Sequence, residues 1–381
     1  MIRTLHLSER IQRIDLTTGI RVIQLTSYPL PAAHLFYDWP SVTPDNQRLL
    51  VYCQRFLRRG APWDIFRVDA DGLNLFQLTE YGDWDEPGGY YGRPWAVLTL
   101  DGQHVYVHAC HKLYRVEMET GKDELVADLE KFWEDDHTLG RLTLSSSGKR
   151  IFVNRTKDTD YDCIRVDLET GAAEVVDVDG LVHGCAYDAN GLCVQRGKVI
   201  WGTKTRPDGS RTYYNAGGRI DLWIVDEDGK NGQLIGENIY AHGTMLGRKS
   251  MMQGCGLPPN RCLWIGEPAK EPYKLVEGPY FWHSGASFDG EWIVADTNWP
   301  DNGLQLAHVP SRRFRTLCHP GATRDHVEYG HPHPSLSQDG RVAVFRSDRT
   351  GASQVYVAHI TDEFRESVKA GELDRPKDKW M

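Results

Sequence analysis

Short runs of apolar and β-branched residues, each closed by a tight polar turn, recur along the whole chain. The unit opens on one distinctive residue, continues through a few apolar ones, reaches an Asp-Gly-like turn and resumes in a second β-rich run. It reads WPSVTPDNQRLLVY from Trp39, WAVLTLDGQHVYVH from Trp95 and RLTLSSSGKRIFVN from Arg141, with a degenerate copy, GCAYDANGLCVQRG, from Gly184. Three more copies, HGTMLGRKSMMQ, HSGASFDGEWIV and HPSLSQDGRVAV, start at His242, His283 and His333. A spacing of roughly 40–60 residues is that of propeller blades. A second half-repeat, FRVDADG, YRVEMETG, IRVDLETG and WIVDEDG, ends at Gly72, Gly121, Gly171 and Gly229. It predicts a third strand, a tight turn and an outer fourth strand.

The pattern therefore predicts an all-β fold, a seven-bladed β-propeller. Residues 12–26 carry the outer-strand signature with no inner strands before them, whereas the last copy has inner strands and nothing after it. The N-terminal segment is expected to supply the outer edge of the seventh blade, closing the ring and removing an exposed sheet edge. Residues 1–360 are expected to form this single propeller, and 361–381 a polar tail, either a short helix or a loose end.

Composition narrows the partners. The 37 glycines and 19 prolines suit many turns, and the 12 tryptophans suit blade packing and sugar stacking. A net charge of −9 argues against nucleic acid, whose phosphates need a basic surface. It leaves open an acidic ligand, which responds to the local field. No stretch approaches the roughly 20 apolar residues of a membrane span, and the N-terminus lacks a signal-peptide core. The eight cysteines are scattered without a CxxC pair. A cytoplasmic protein with free thiols is the expectation, with the oligomeric state left open.

Equal repeat position in a propeller means equal place around the channel. That place is held by Trp39, Trp95, Arg141, Gly184, His242, His283 and His333, so three imidazoles converge at one mouth. His331 lies two residues before His333, on the same strand face. Neutral imidazole is a favoured ligand of first-row divalent metals. His331 and His333 can bind one ion together, His283 of the neighbouring blade can be the third ligand, and Glu328 can fold back as the fourth. His326, His34, His137 and His319 are secondary candidates. His242 is then left unligated, with a pKa near neutrality that suits a general base or acid. Arg141, and Arg219 through its loop, can fork onto a carboxylate. Trp39 and Trp95 can stack on a ligand, and Tyr240 is a mouth tyrosine. The segments EYGDWDEPGGYYGRPW and LEKFWEDDHTLGR read as mouth loops.

These residues resemble a known family, the oligogalacturonate lyases. The resemblance is strongest over the C-terminal two-thirds, in RIDLWIVDEDGKNGQLIG, the His242 segment, FWHSGASFDG and above all GHPHPSLSQDGRVAVFRSD. It implies a cytoplasmic seven-bladed propeller that cleaves short uronic-acid oligosaccharides by β-elimination. By the same resemblance His283, His331 and His333 hold a divalent metal, expected to be manganese, and His242 is the catalytic base. Two positions depart from the family pattern. Glu328 stands where the family has glutamine, and Asp221 where it has an arginine, with Arg219 two residues earlier on the same strand face. Two other readings remain: a non-catalytic propeller that binds a ligand or protein, and a uronate epimerase or isomerase using the same site.

Overall fold

The computed structural model describes residues 5–55, 63–80, 94–133, 138–157, 160–186, 191–205, 211–238, 240–257, 260–298, 302–323 and 330–371. These form seven antiparallel sheets, the blades of a propeller. Blades one to six each have four strands taken in succession from the chain. Their inner strands are Ala32–His34, Trp95–Leu98, Thr138–Leu144, Leu181–Ala186, Tyr240–Met245 and Phe281–Ala286. Blade seven is composite. Its three inner strands, Ser335–Leu336, Val342–Ser347 and Gln354–His359, come from the C-terminal part of the chain. Its two outer strands, Arg21–Gln24 and Ile11–Ile14, come from the N-terminal part. The expected closure holds, with a two-stranded ribbon as its outer edge.

One local device makes the repeat. In the first-to-second-strand turn, a Ser or Thr hydroxyl donates to the acid two residues on, at 2.5–2.7 Å for Thr43–Asp45, Thr99–Asp101, Ser287–Asp289 and Ser337–Asp339. The same hydroxyl accepts the N–H five residues on, as from Trp292 to Ser287 at 3.1 Å. The turn glycines, Gly290 among them, take positive φ, which only glycine adopts without strain.

The core lies between blades. Along the second strand of blade one, Leu49, Val51 and Cys53 pack with Val344, Val355 and Val357 of blade seven. Leu50 and Tyr52, pointing the other way, pack with Leu98, Val105 and Val107 of blade two. Each blade is thus covered on both faces, so its second strand reads as a continuous apolar run rather than an alternation. The tail segment contributes a helix, Asp362–Ala370, capped by Thr361, whose hydroxyl accepts from the Phe364 N–H. Phe364 and Val368 bury against Leu304, Leu306 and Leu317 of blade six. No helix among the described residues is long and apolar enough to cross a membrane.

Candidate functional site

The inner strands lose register where they meet the mouth. Pairing breaks between Leu139 and Leu142, Val182 and Gly184, Ala241 and Thr244, and Phe281 and Ser284. Arg141, His183, His242 and His283 sit in these breaks. A bulge adds a residue and re-aims its side chain, here toward the channel. His242 and His333 take positive φ, with values of 52° and 46°, uncommon for residues other than glycine and typical of such sites.

The imidazoles form one cluster. The His283 ring lies 3.9 Å from that of His333, 4.4 Å from that of His242 and 5.5 Å from that of His331, centroid to centroid. His283, His331 and His333 are buried, and one nitrogen from each lies within 4.8 Å of the other two. Three neutral nitrogen donors at that separation fit a single divalent ion. Burial pushes His242, His333 and His183 well below the usual imidazole range, and neighbouring rings or Arg346 and Arg141 add to it.

A carboxylate outside the trio orients it. Asp296, in the second strand of blade six, accepts the His283 backbone N–H at 2.7 Å and its Nδ1 at 3.0 Å. It also accepts the His333 N–H at 3.2 Å. Proton donation from Nδ1 to Asp296 leaves His283 Nε2 as the lone pair that can ligate. Nδ1 of His333 meets the His331 carbonyl at 3.1 Å, which only accepts, and the Arg346 guanidinium, which only donates. Ligation through Nε2 selects the first partner.

The segment Leu35–Pro40 forms the floor. The Tyr37 ring packs 5.5 Å from His283 and 6.1 Å from His333, and edge-on to His242 at 6.4 Å. This crossing needs Gly285, since a Cβ there would stand 2.4 Å from the Tyr37 carbonyl oxygen. Below Tyr37 a narrow cavity continues along the axis between Asp38, Gly184, Thr244 and Leu336.

The remaining expected site residues are distributed as follows. Arg141 is half-buried and its guanidinium pairs with Asp38, contacts His183 and lies 5.2 Å over Phe36. Trp39 is wedged between blades, donating from Nε1 to the Leu98 carbonyl at 3.0 Å. Trp95 leans on Gly140 of blade three. Arg219 is not brought to the histidines: it is exposed and pairs with Asp221 at 2.7 Å and Glu237 at 2.6 Å. Its strand, Arg211–Asp226, pairs with Gly191–Thr205 in a ribbon that runs past the start of the blade-four inner strand, on the mouth side. Tyr240 opens the inner strand of blade five. Glu328, His326 and His137 lie outside the described residues, as does most of the first mouth segment and residues 134–137 of the second. His34 is buried in the inner strand of blade one, and His319 pairs with Asp15.

Two site residues escape the repeat reading. In blade four the channel position falls on His183, not Gly184, because Ala186 pairs directly with Gly191 whereas Ala286 pairs with Ile293. The turn is two residues shorter and Gly191 already belongs to the second strand, so counting back seven residues from it stops one short of His183. Asp296 is the other. It follows its turn glycine by six residues, as do His108, Asn154 and Arg346, and this run of buried polar residues was the signal available.

The fold and site define a seven-bladed propeller with a histidine cluster at one channel mouth. No protein-family model matches the chain. It is 23% identical over 401 residues to the oligogalacturonate lyase of Dickeya dadantii, covering 91% of this chain and 95% of that protein. Identity and coverage are the same over 400 residues of the oligogalacturonide lyase of Pectobacterium atrosepticum. Among solved structures it is similar to an oligogalacturonate lyase in complex with manganese, with a TM-score of 0.72, 18% identity, and 95% of this chain and 99% of that one covered. An oligogalacturonate lyase from Vibrio parahaemolyticus gives 0.72 and 18%, covering 96% and 100%. The chain is thus similar, over nine-tenths of its length, to oligogalacturonate lyases.

Proposed function

We propose that this protein is a metal-dependent lyase that cleaves short oligouronides such as oligogalacturonate by β-elimination. The observation that carries this reading is the buried trio of His283, His331 and His333, with His242 a ring's width away and outside the trio. Glu328 is proposed as a fourth ligand and manganese as the ion, following the name of the manganese-bound neighbour. Bound there, a divalent ion supplies positive charge to a uronate carboxylate.

His242, held neutral, takes the C5 proton, which is α to that carboxylate. The C5–H electron pair becomes the C4–C5 double bond as the C4–O4 bond breaks, so no hydrolytic water enters. Arg219 lies on the mouth-side ribbon, and its solvent-exposed ion pairs are easily exchanged for a substrate carboxylate. Trp39, Trp95 and Tyr240 are the proposed sugar contacts. None of the eight cysteines forms a disulfide and seven of them are buried, which supports a reducing compartment, the cytoplasm.

The test is ultraviolet absorbance of the conjugated unsaturated product, with a panel of oligouronides and added manganese. The unsubstituted protein should produce it. His242→Ala should keep its metal and lose kcat by about 10²–10⁴-fold, with little change in KM. No product from any oligouronide would refute the reading, and metal loss in His242→Ala would make His242 a ligand instead.

A further inference from the structure

His183 stands in the ring between Arg141 and His242, and it is 8% exposed. Its backbone is held from the neighbouring blade: the Asn154 side chain accepts the Val182 N–H and donates to the Val182 carbonyl, both at 2.9 Å. Arg141 Nη1 lies 2.9 Å from His183 Nδ1. A guanidinium only donates, so Nδ1 accepts and the neutral ring carries its hydrogen on Nε2. Asp38 pairs with the same guanidinium and keeps it in place. Nε2 is buried and has no partner among the described residues. A buried donor without an acceptor is costly, and at a site mouth it marks a place for a ligand atom.

Ring order says which atom. The trio of His283, His331 and His333 is at one end, His242 is next, and His183 follows. In a 4-linked uronide the order is carboxylate, C5, then C4 with its leaving oxygen. We propose that His183 is a further catalytic residue, donating a hydrogen bond from Nε2 to the departing O4, with Arg141 and Asp38 positioning it. This rests on the lyase reading above. His183 transfers no proton. It stabilises the negative charge that collects on O4 as the C4–O4 pair departs, and the alkoxide then takes its proton from water. Arg141 accordingly acts through His183 rather than on the substrate carboxylate.

Two measurements test this. Spectra of the protein labelled with ¹⁵N-histidine, without added metal and assigned by difference from His183→Gln, should show His183 as the Nε2–H tautomer between pH 6 and 8. Arg141→Leu should release that tautomer. With manganese, His183→Phe should lose kcat by about 10²–10³-fold with metal content and KM little changed. His183→Gln, which keeps a donor, should recover part of the loss. An Nδ1–H tautomer or a protonated ring at pH 7 overturns the proposal, as does an unchanged kcat in folded His183→Phe. If the unsubstituted protein cleaves no oligouronide, the lyase reading falls and the O4 assignment falls with it, whereas cleavage with His183→Phe fully active removes the role of His183 alone.

Discussion

A single carboxylate, Asp296, ties two of the proposed ligands together. It holds His283 through Nδ1 and main chain, and His333 through its main chain, while remaining 1% exposed. Such outer partners fix the tautomer and the ring orientation, and their loss typically costs 10–100-fold in metal affinity. Asp296→Asn should therefore weaken manganese binding by about that factor while leaving the propeller folded, as read by metal titration alongside circular dichroism. Unchanged affinity would mean that His283 is oriented by packing against Tyr37 and His333 alone. Arg346, on the next blade, is equally buried, and its contact with His333 Nδ1 competes with the His331 carbonyl for the same nitrogen.

At the scale of the strand, the position six residues after the turn glycine carries a buried polar side chain in blades two, three, six and seven, and in two of them, at Asn154 and Asp296, it hydrogen-bonds the backbone of the next blade. In blade two its occupant is His108, which pairs with Trp95 across the inner hairpin. Burial, with a smaller contribution from His111, pushes the His108 imidazole down to about 3. Its folded pKa is below the unfolded value of 6.5, so the unfolded chain takes the proton first. The His108 contribution to stability is complete above about pH 6.5 and is lost as pH falls from there toward 3, at up to about 1.4 kcal/mol per pH unit. Urea unfolding at several pH values should show a shallower acid loss for His108→Gln than for the unsubstituted protein. Parallel curves would mean that His108 is not held neutral.

At the scale of the molecule, the ring closes at a non-local junction. Val22, Ile23 and Gln24 pair with Ala358, Val357 and Tyr356, so the first and last parts of the chain share a blade. Ile23 is 1% exposed and lies in the cluster that joins blades seven and one. Ile11, on the outermost strand, is 50% exposed. Ile23→Ala should lower unfolding free energy by about 2–5 kcal/mol, and Ile11→Ala by under about 0.5 kcal/mol. Equal small effects, measured by chemical denaturation, would show that the junction contributes little to closure. A ring closed this way presents no long sheet edge at the seam.

The periodic residues by themselves determined the blade count, the composite seventh blade and the convergence of His242, His283 and His333. Each follows from a local pattern: a hydroxyl-acid-glycine turn, a continuous apolar second strand, and one residue held at a constant offset from the turn. The HPH triplet marked His331 by the two-residue period of a strand. What only the tertiary structure decided is which side chains complete the cluster. His183 was hidden by a turn two residues shorter than its counterparts, which moves the channel position by one. Asp296 and Tyr37 act across blade boundaries, where sequence separation carries no signal of contact. Arg141 has the guanidinium expected at its position, yet Asp38 and His183 engage it, and nothing local to RLTL foretells either neighbour. The pattern of a repeat sets where backbones lie, whereas pairing among buried polar groups is settled by whichever partners the closed ring brings within hydrogen-bond distance.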